Sequence, residues 1–522
     1  VALHSPYDPA REAERFAEAA LGPETPSTVV VLGEGLGYLT RWVRGVHPSA
    51  RVLKVHYSEE ISRSSSSVSE ADGDTWHPGL RVSVGEFLAS RIGELDVEGL
   101  RMIEWPPSAR LFPGLSRTAN EALQQCLREL NGSLVTTISV GRLWLRNCVA
   151  NFLSLGEVFR GAPCSPQRSI VITASGPSLE SAAPLLREVR ADVDIWALPS
   201  SAPFLREAGL KPDLLVMTDP GFFAIHHLHH AMPDCPVAMP LSAARGLWRL
   251  AAQGSIRTRS FLLEQPGLME EVFLQALGIP APSIAPHGTV AATAIDLARA
   301  FTTGPIILAG LDMSTRDILS HARPNEFERF SLARAWRTAP SYTFWFRSSA
   351  EQNATRVPGS GGARASLSLR TYAGWLGAQA GEKVYRLLPS AVALAGMKPL
   401  DAASLKELLR CSPPSPPGNQ LSLSPALPAR AQRVSMAQRI LAGWRETVLA
   451  GLESAQGKRG TGALAALPLL TLAYQIAPQP LLETKRKARL GDERGARESA
   501  ISLLQECEKF LRGLQERVSR AA

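Results

Sequence analysis

Five short segments place hydroxyl, carboxyl or imidazole groups where an apolar run gives way to a turn. The first is Ile170-Val171-Ile172-Thr173-Ala174-Ser175-Gly176-Pro177-Ser178-Leu179. A β-branched run enters a turn of small residues, and a helical period follows. Gly176 lets a ligand approach the backbone, Pro177 fixes the turn and Ser178 is a candidate cap. A helix N-terminus offers free N–H groups and the positive end of its dipole, which suits a diphosphate or a nucleotide monophosphate. A capped turn without a ligand is the plainer reading.

The second segment is Leu215-Val216-Met217-Thr218-Asp219-Pro220-Gly221. Asp219 falls at the carboxyl end of a strand, where open α/β sheets bind ligands. There it can hold a ribose hydroxyl or a metal, or orient an acceptor; otherwise it is a turn-forming Asp before Pro. The third is His226-His227-Leu228-His229-His230. His226 and His230 share a helix face and can share a metal, although no HExxH-type pattern accompanies them. A single histidine acting as base or phosphate partner is the simpler reading, and a solvated polar face the plainest. The fourth, His287-Gly288-Thr289-Val290, opens a helix to Phe301 and offers a second phosphate- or base-contacting turn, with Thr289 as candidate cap. The fifth is Ile306-Ile307-Leu308-Ala309-Gly310-Leu311-Asp312, followed by Ser320-His321-Ala322-Arg323. Asp312 and His321 are expected to meet at the sheet edge, where a histidine near its reference pKa of ~6.5 moves a proton at neutral pH.

The elements that must position these groups alternate along the chain. Strands are expected at 169–173, 194–198, 214–217, 236–239, 260–263 and 305–309. Helices are expected at 179–189, 269–277 and 290–301. This alternation predicts an α/β domain with a mainly parallel sheet covered on both faces. An earlier strand, Thr28–Leu32, runs into Gly33-Glu34-Gly35-Leu36-Gly37, then a helix and a second strand at 51–56. That is a Rossmann-type unit; its GxGxG turn binds a dinucleotide or is simply a tight turn. The domains expected are 1–115, an N-terminal Rossmann-like α/β domain; 116–160, a helical connector; 161–405, the central domain; 406–430, a Pro/Ser-rich linker; and 431–522, a helical domain. Segment 345–368, rich in Ser, Gly, Arg and Ala, reads as a mobile loop near the site.

The chain has 522 residues, 45% of them hydrophobic, and a formal charge of +8. The basic excess suits anionic ligands. It comes without zinc-finger spacing, an aromatic-basic RNP pattern or a basic region with heptads, so no nucleic-acid partner is expected. Six cysteines stand singly with no CxxC pair, which fits reduced thiols in a cytosol. No apolar run reaches the ~20 residues of a membrane span, and no leader pattern opens the chain, so a cytoplasmic protein is expected.

Taken in order, these segments resemble the motility-associated factor (Maf) glycosyltransferase family, whose central domain is shared with 6-hydroxymethylpterin diphosphokinase MptE-like proteins. His4-Ser5-Pro6-Tyr7-Asp8-Pro9 with Glu12-Ala13 resembles the family's N-terminal signature. The 175–179 turn resembles its GxGPSL motif, with Ser175 at the first glycine. Thr218–Phe223 with His227-Leu228, Gly288–Ala291, and Gly310-Leu311-Asp312 with Ser320-His321-Ala322 resemble three further motifs. His287 stands where a glycine is common, and Met313 where a leucine is.

The resemblance implies a sialyltransferase-like central domain that needs no metal. It implies transfer of a nonulosonic sugar, pseudaminic or legionaminic in type, from its CMP donor to serine or threonine of flagellin before export. Ser175, Gly176, Pro177, Ser178, Leu179, His287, Gly288 and Thr289 would bind the donor nucleotide. Asp219, His227, Asp312 and His321 would be catalytic, and the flanking domains would recognise the acceptor. Two alternatives keep the fold. One is pyrophosphoryl transfer from ATP, with Mg²⁺ on Asp219 and Asp312. The other is a non-catalytic flagellin-binding protein.

Overall fold

The computed structural model describes residues 3–23, 25–65, 73–228, 235–246, 259–316, 318–351, 354–357, 360, 362–378, 380–413, 415–416, 418, 420–457 and 469–521. They fall into two compact units, Val1–Gly141 with Trp444–Arg512, and Arg142–Gly443 with Gly513–Ala522.

In the first unit four parallel strands stand in the order β3-β2-β1-β4: β1 Thr28–Leu32, β2 Arg51–Val55, β3 Thr75–Trp76 and β4 Leu100–Glu104. The period of two along β1 feeds two cores. Val29 and Val31 pack with Ala13, Ala17 and Leu39, while Val30 and Leu32 pack with Phe87, Leu88 and Leu123. Asp8 caps the helix Pro9–Leu21 through the Arg11 N–H, and Ser83 with Glu86 forms a reciprocal cap on Val84–Ala89. The helices Leu469–Ile476 and Pro478–Arg489 also belong to this unit. The basic run 485–489 serves that packing: Lys485 Nζ donates to the Leu95 carbonyl, Arg489 Nη1 donates to the Thr25 carbonyl, and Arg486 pairs with Glu98.

The second unit is built on a ten-stranded sheet. Its strands are β5 Glu157–Arg160, β6 Ser169–Thr173, β7 Val193–Ala197, β8 Leu214–Val216, β9 Val237–Pro240, β10 Arg259–Leu263, β11 Ile306–Ala309, β14 Val384–Leu387, β15 Lys398–Leu400 and β16 Ser422–Leu423. The short hairpin of β12 Thr355–Arg356 and β13 Arg364–Ala365 stands apart from it. The order is β15-β14-β11-β6-β7-β8-β9-β10-β5-β16, parallel throughout except for β16 against β5. Val171, Ile195 and Ile307 face helices Ser178–Glu188 and Ala202–Glu207. Ile170, Ile172 and Leu308 face helix Val290–Phe301 on the other side. The expected α/β fold with a large, mainly parallel sheet is therefore present, with a helical C-terminal region.

Two segments differ from their sequence readings. The described part of 345–368 is ordered into the end of helix Ser341–Glu351, the β12–β13 hairpin and the start of helix Leu367–Ala378, because Arg364 exchanges backbone hydrogen bonds with Thr315. The Pro/Ser-rich stretch is fastened rather than loose. Ser415 and Pro416 carbonyls accept from Arg168 and Ser165, and Gln420 N–H bonds the Ala162 carbonyl. Among the described residues no helix is long and apolar enough to cross a membrane. The six cysteines are free thiols, five of them buried.

Candidate functional site

Strand order reverses between β6 and β11: successive strands build outward from β6 on one side, and from β11 on the other. The crevice at the carboxyl ends of such a pair is where open parallel sheets bind ligands. Here it is formed by Ala174–Ser178 leaving β6 and Gly310–Asp312 leaving β11. The two loops lock together, with Ala174 N–H on the Ala309 carbonyl at 2.8 Å and Gly176 N–H on the Gly310 carbonyl at 2.7 Å. No side chain fits at Gly176, because a Cβ there would lie 2.5 Å from Asp312 Oδ2 and 2.6 Å from the Gly310 oxygen. Gly310 has φ +71 and would press a Cβ to 2.4 Å from the Ala174 oxygen.

The helix N-terminus read as an anion site already holds a carboxylate. Oδ2 of Asp312 accepts from the Ser178 N–H at 2.7 Å. Asp312 is 5% exposed, and its other oxygen is buried without a partner. Ser178 does not cap the helix with its own side chain: it is the first helical residue, and its hydroxyl oxygen is likewise buried and unpartnered. Arg386 of β14, missed by sequence reasoning, is close enough for Asp312 to oppose the lowering of its pKa by burial. Its Nη1 donates to the Ser390 carbonyl, and Ser390 Oγ donates to the Leu311 carbonyl. A lone arginine in an apolar strand carries no local signal of such a role.

His321 joins this edge through its neighbour, since Ala322 N–H bonds the Ser175 carbonyl at 2.7 Å. Its Nδ1 is 2.7 Å from Ser320 Oγ, which leaves Nε2 for a ligand. The ring of Phe327 stands between two imidazoles, 4.8 Å from His321 and 4.9 Å from His227. Burial lowers both histidines to about 4, and for His227 the neighbouring His321 and His226 add to it. Both rings are therefore neutral at pH 7. His321 lines a cavity of about 460 Å³ with Phe223, Phe327, Phe330, Trp345, Ser366 and Ser368. His227 is 5% exposed and is not part of that wall.

The remaining sequence-derived residues make contacts of their own. Asp219 is exposed, and its carboxylate closes its own turn by accepting from Gly221 N–H at 2.6 Å. Buried Asn147 of helix Pro113–Ser154 steadies that turn by donating to the Pro220 and Ser242 carbonyls. β8, which leads to Asp219, stands three positions from β11, which leads to Asp312, roughly 14 Å between strand axes. That spacing speaks against one Mg²⁺ shared by the two carboxylates. Thr289 caps helix Val290–Phe301 through the Ala292 N–H, as its position suggested. His287 is engaged by Asp296 at 2.5 Å, and the Trp375 ring lies against Gly288 so closely that a Cβ would overlap it. His226 contacts the exposed Phe222 ring at 4.1 Å; His229 and His230 lie outside the described residues. Among the described residues no group of three or more His, Cys, Asp or Glu is placed to hold a metal.

The GxGxG turn of the first unit is filled from within. His4 Nε2 accepts from the Leu36 N–H at 3.1 Å, and a Cβ on Gly35 would lie 2.2 Å from that nitrogen. The imidazole stacks on Trp105 at 5.0 Å, and Trp105 Nε1 donates to the Leu3 carbonyl. Ser5 N–H bonds Glu12 Oε2, so most of the His4–Glu12 signature serves to seat this strap.

Residues 144–317 match the family described as 6-hydroxymethylpterin diphosphokinase MptE-like. The matched stretch is the centre of this chain. It contains the 175–179 turn, Asp219, His227, the 287–289 turn and Asp312, whereas His321 and most of the cavity wall follow it. The chain has the fold of the Maf glycosyltransferase of Magnetospirillum magneticum AMB-1, at TM-score 0.53 and 14% identity, over 99% of this chain and 84% of that one. The expected resemblance is thus borne out, in sequence for the MptE-like domain and in fold for Maf. Two uncharacterised proteins of Treponema pallidum (strain Nichols) are also similar. One is 28% identical over 312 residues, 58% of this chain and 63% of that protein. The other is 27% identical over 128 residues, 23% of this chain and 60% of that protein. The chain therefore spans less than two thirds of either relative.

Proposed function

We propose that this protein is a glycosyltransferase that moves a nonulosonic sugar, pseudaminic or legionaminic in type, from a CMP donor to serine or threonine of flagellin in the cytoplasm. The catalytic domain is residues 161–405, and no metal is required. The observation that carries this reading is the position of His321. It is tied through Ala322 to the Ser175 turn and lines a hydroxyl-bearing cavity, which supports reading that turn as the donor side and the cavity as the acceptor side of one neutral imidazole.

The acceptor oxygen bonds the anomeric carbon as the bond from that carbon to phosphate oxygen breaks. CMP leaves with the electron pair, and the acceptor proton passes to His321 Nε2. An imidazole lowered to about 4 is unprotonated at pH 7 and releases the proton readily to solvent. The donor nucleotide lies against the Ser175–Leu179 and 287–289 turns, its phosphate competing with the Asp312 carboxylate for the Ser178 N–H. Asp219 orients donor or acceptor, and His227 supports Phe327 and His321.

Calorimetric titration with CMP, CDP, ATP and GTP, in Mg²⁺ and in EDTA, tests the reading. Metal-independent CMP binding is expected. Mg²⁺-dependent ATP binding without CMP affinity would replace it with the diphosphokinase activity. Nucleotide binding without turnover on any donor and acceptor would leave a binding protein.

A further inference from the structure

Between β11 and β14 the chain makes an excursion, residues 314–370, that builds most of the cavity wall. It follows the residues matched to the MptE-like family almost entirely. It carries nine arginines and no lysine against four acids, a large part of the chain's net +8. Arg316, Arg337, Arg347, Arg356 and Arg370 are exposed. Large apolar side chains are exposed with them: Leu332 56%, Trp336 69%, Tyr342 60%, Phe346 63% and Leu367 70%. Rings and guanidinium groups concentrated in one exposed stretch, with lysine absent, are the composition of a macromolecular interface.

We propose that this excursion is the docking face for the protein acceptor. The acceptor segment is acidic and carries an apolar side chain next to the hydroxyl to be modified; that side chain seats in the cavity beside His321. The proposal rests on the transferase reading and places acceptor recognition on the central unit rather than on the flanking domains.

Three observations favour this occupant. Among the described residues the cavity wall contains no lysine, arginine, aspartate or glutamate, which suits neither a phosphate nor a sugar carboxylate. Its rings suit an apolar side chain, while Ser366, Ser368 and His321 can bond the neighbouring hydroxyl and backbone. The arginines outside it present planar forks that match carboxylates. An anionic bilayer would also attract arginine and aromatic rings. It has no side chain to place in a cavity of about 460 Å³ beside an imidazole.

The test uses the full chain and synthetic peptides containing Leu-Ser-Phe flanked by glutamates, or by lysines in a twin peptide. Anionic phosphatidylglycerol vesicles and single-stranded RNA are run in parallel. Two double variants probe the surface, Trp336→Ser with Phe346→Ser, and Arg337→Glu with Arg347→Glu. The glutamate peptide is expected to bind, and the lysine twin to bind about tenfold more weakly or worse. Each double variant should lose about tenfold for the glutamate peptide while CMP affinity stays unchanged. Peptide binding indifferent to all four substitutions overturns the proposal. So does binding of vesicles or RNA, but not peptide, that responds to them. Loss of CMP affinity in the surface variants also overturns it, because the face would then belong to the donor. Peptide binding with this dependence but no CMP binding would uphold the docking face and remove the transferase reading. CMP binding without peptide binding would do the reverse.

Discussion

Asp312 Oδ2 accepts the Ser178 N–H at 2.7 Å, so a carboxylate from the loop after β11 caps the helix that follows β6. The bond ties together the two strands at which the sheet order reverses. It also takes up the positive end of a helix dipole that an incoming phosphate would otherwise use.

Asp312→Ala should therefore do two opposite things. Removing the cap costs about 1–2 kcal/mol and lowers the thermal midpoint. Vacating the N–H raises affinity for CMP several-fold. Calorimetry on Asp312→Ala and Asp312→Asn checks both effects, and the asparagine variant should keep much of the cap. Weaker CMP binding in the alanine variant would mean that the carboxylate assists the nucleotide instead of competing with it.

Gly176→Ala should be among the most damaging single substitutions in the second unit. Its methyl group would meet the Asp312 carboxylate and the Gly310 carbonyl, neither of which can move without breaking the crevice. A loss of about 3 kcal/mol is expected in denaturant unfolding. A near-neutral result would show that the two loops are not locked.

His321→Ala should reduce turnover by about 10²–10⁴ while CMP binding survives. His227→Ala should act mainly through stability, because that ring packs on Phe327 and does not line the cavity. With His321 lowered to about 4, wild-type turnover should show no histidine inflection between about pH 5.5 and 8. Parallel kinetics and melting curves on the two variants separate the roles.

The same depression makes stability depend on pH. A histidine held near 4 in the fold but near ~6.5 when unfolded binds its proton more readily in the unfolded state. Its contribution is complete above the unfolded value and is lost as pH falls through that window. For buried His227 the loss approaches ~3 kcal/mol by pH 4. Unfolding at pH 7, 5.5 and 4.5 should show the decline, and it should be shallower in His227→Phe.

His4→Ala should destabilise the first unit by roughly 2 kcal/mol through the lost Trp105 stacking and Leu36 hydrogen bond. It should not create a nucleotide site, because the strap backbone at Leu3 still holds Trp105. New NAD or ATP binding in the variant would mean that the imidazole alone keeps a functional crevice closed.

Local pattern was enough to read the strands at 169–173 and 305–309 (the latter observed at Ile306–Ala309), the helix Val290–Phe301 and the Thr289 cap. A parallel strand buried on both faces is a continuous apolar run, and a cap is a matter of neighbouring residues. The motif order also pointed to the MptE-like family, whose match covers residues 144–317. The occupants of the turns were not legible, because each comes from far along the chain. Asp312 fills the helix N-terminus at Ser178, His4 fills the turn at Gly35, and Trp375 covers Gly288. Glycine at or near each position (Gly176, Gly35, Gly288) signals a close approach, and sequence suggests a ligand for it as readily as a side chain. Only the tertiary structure decides between them, since which group arrives there depends on strand order and packing over tens to hundreds of residues. For the same reason composition described 406–430 as a linker, whereas Arg168 and Ser165 hold the Ser415 and Pro416 carbonyls.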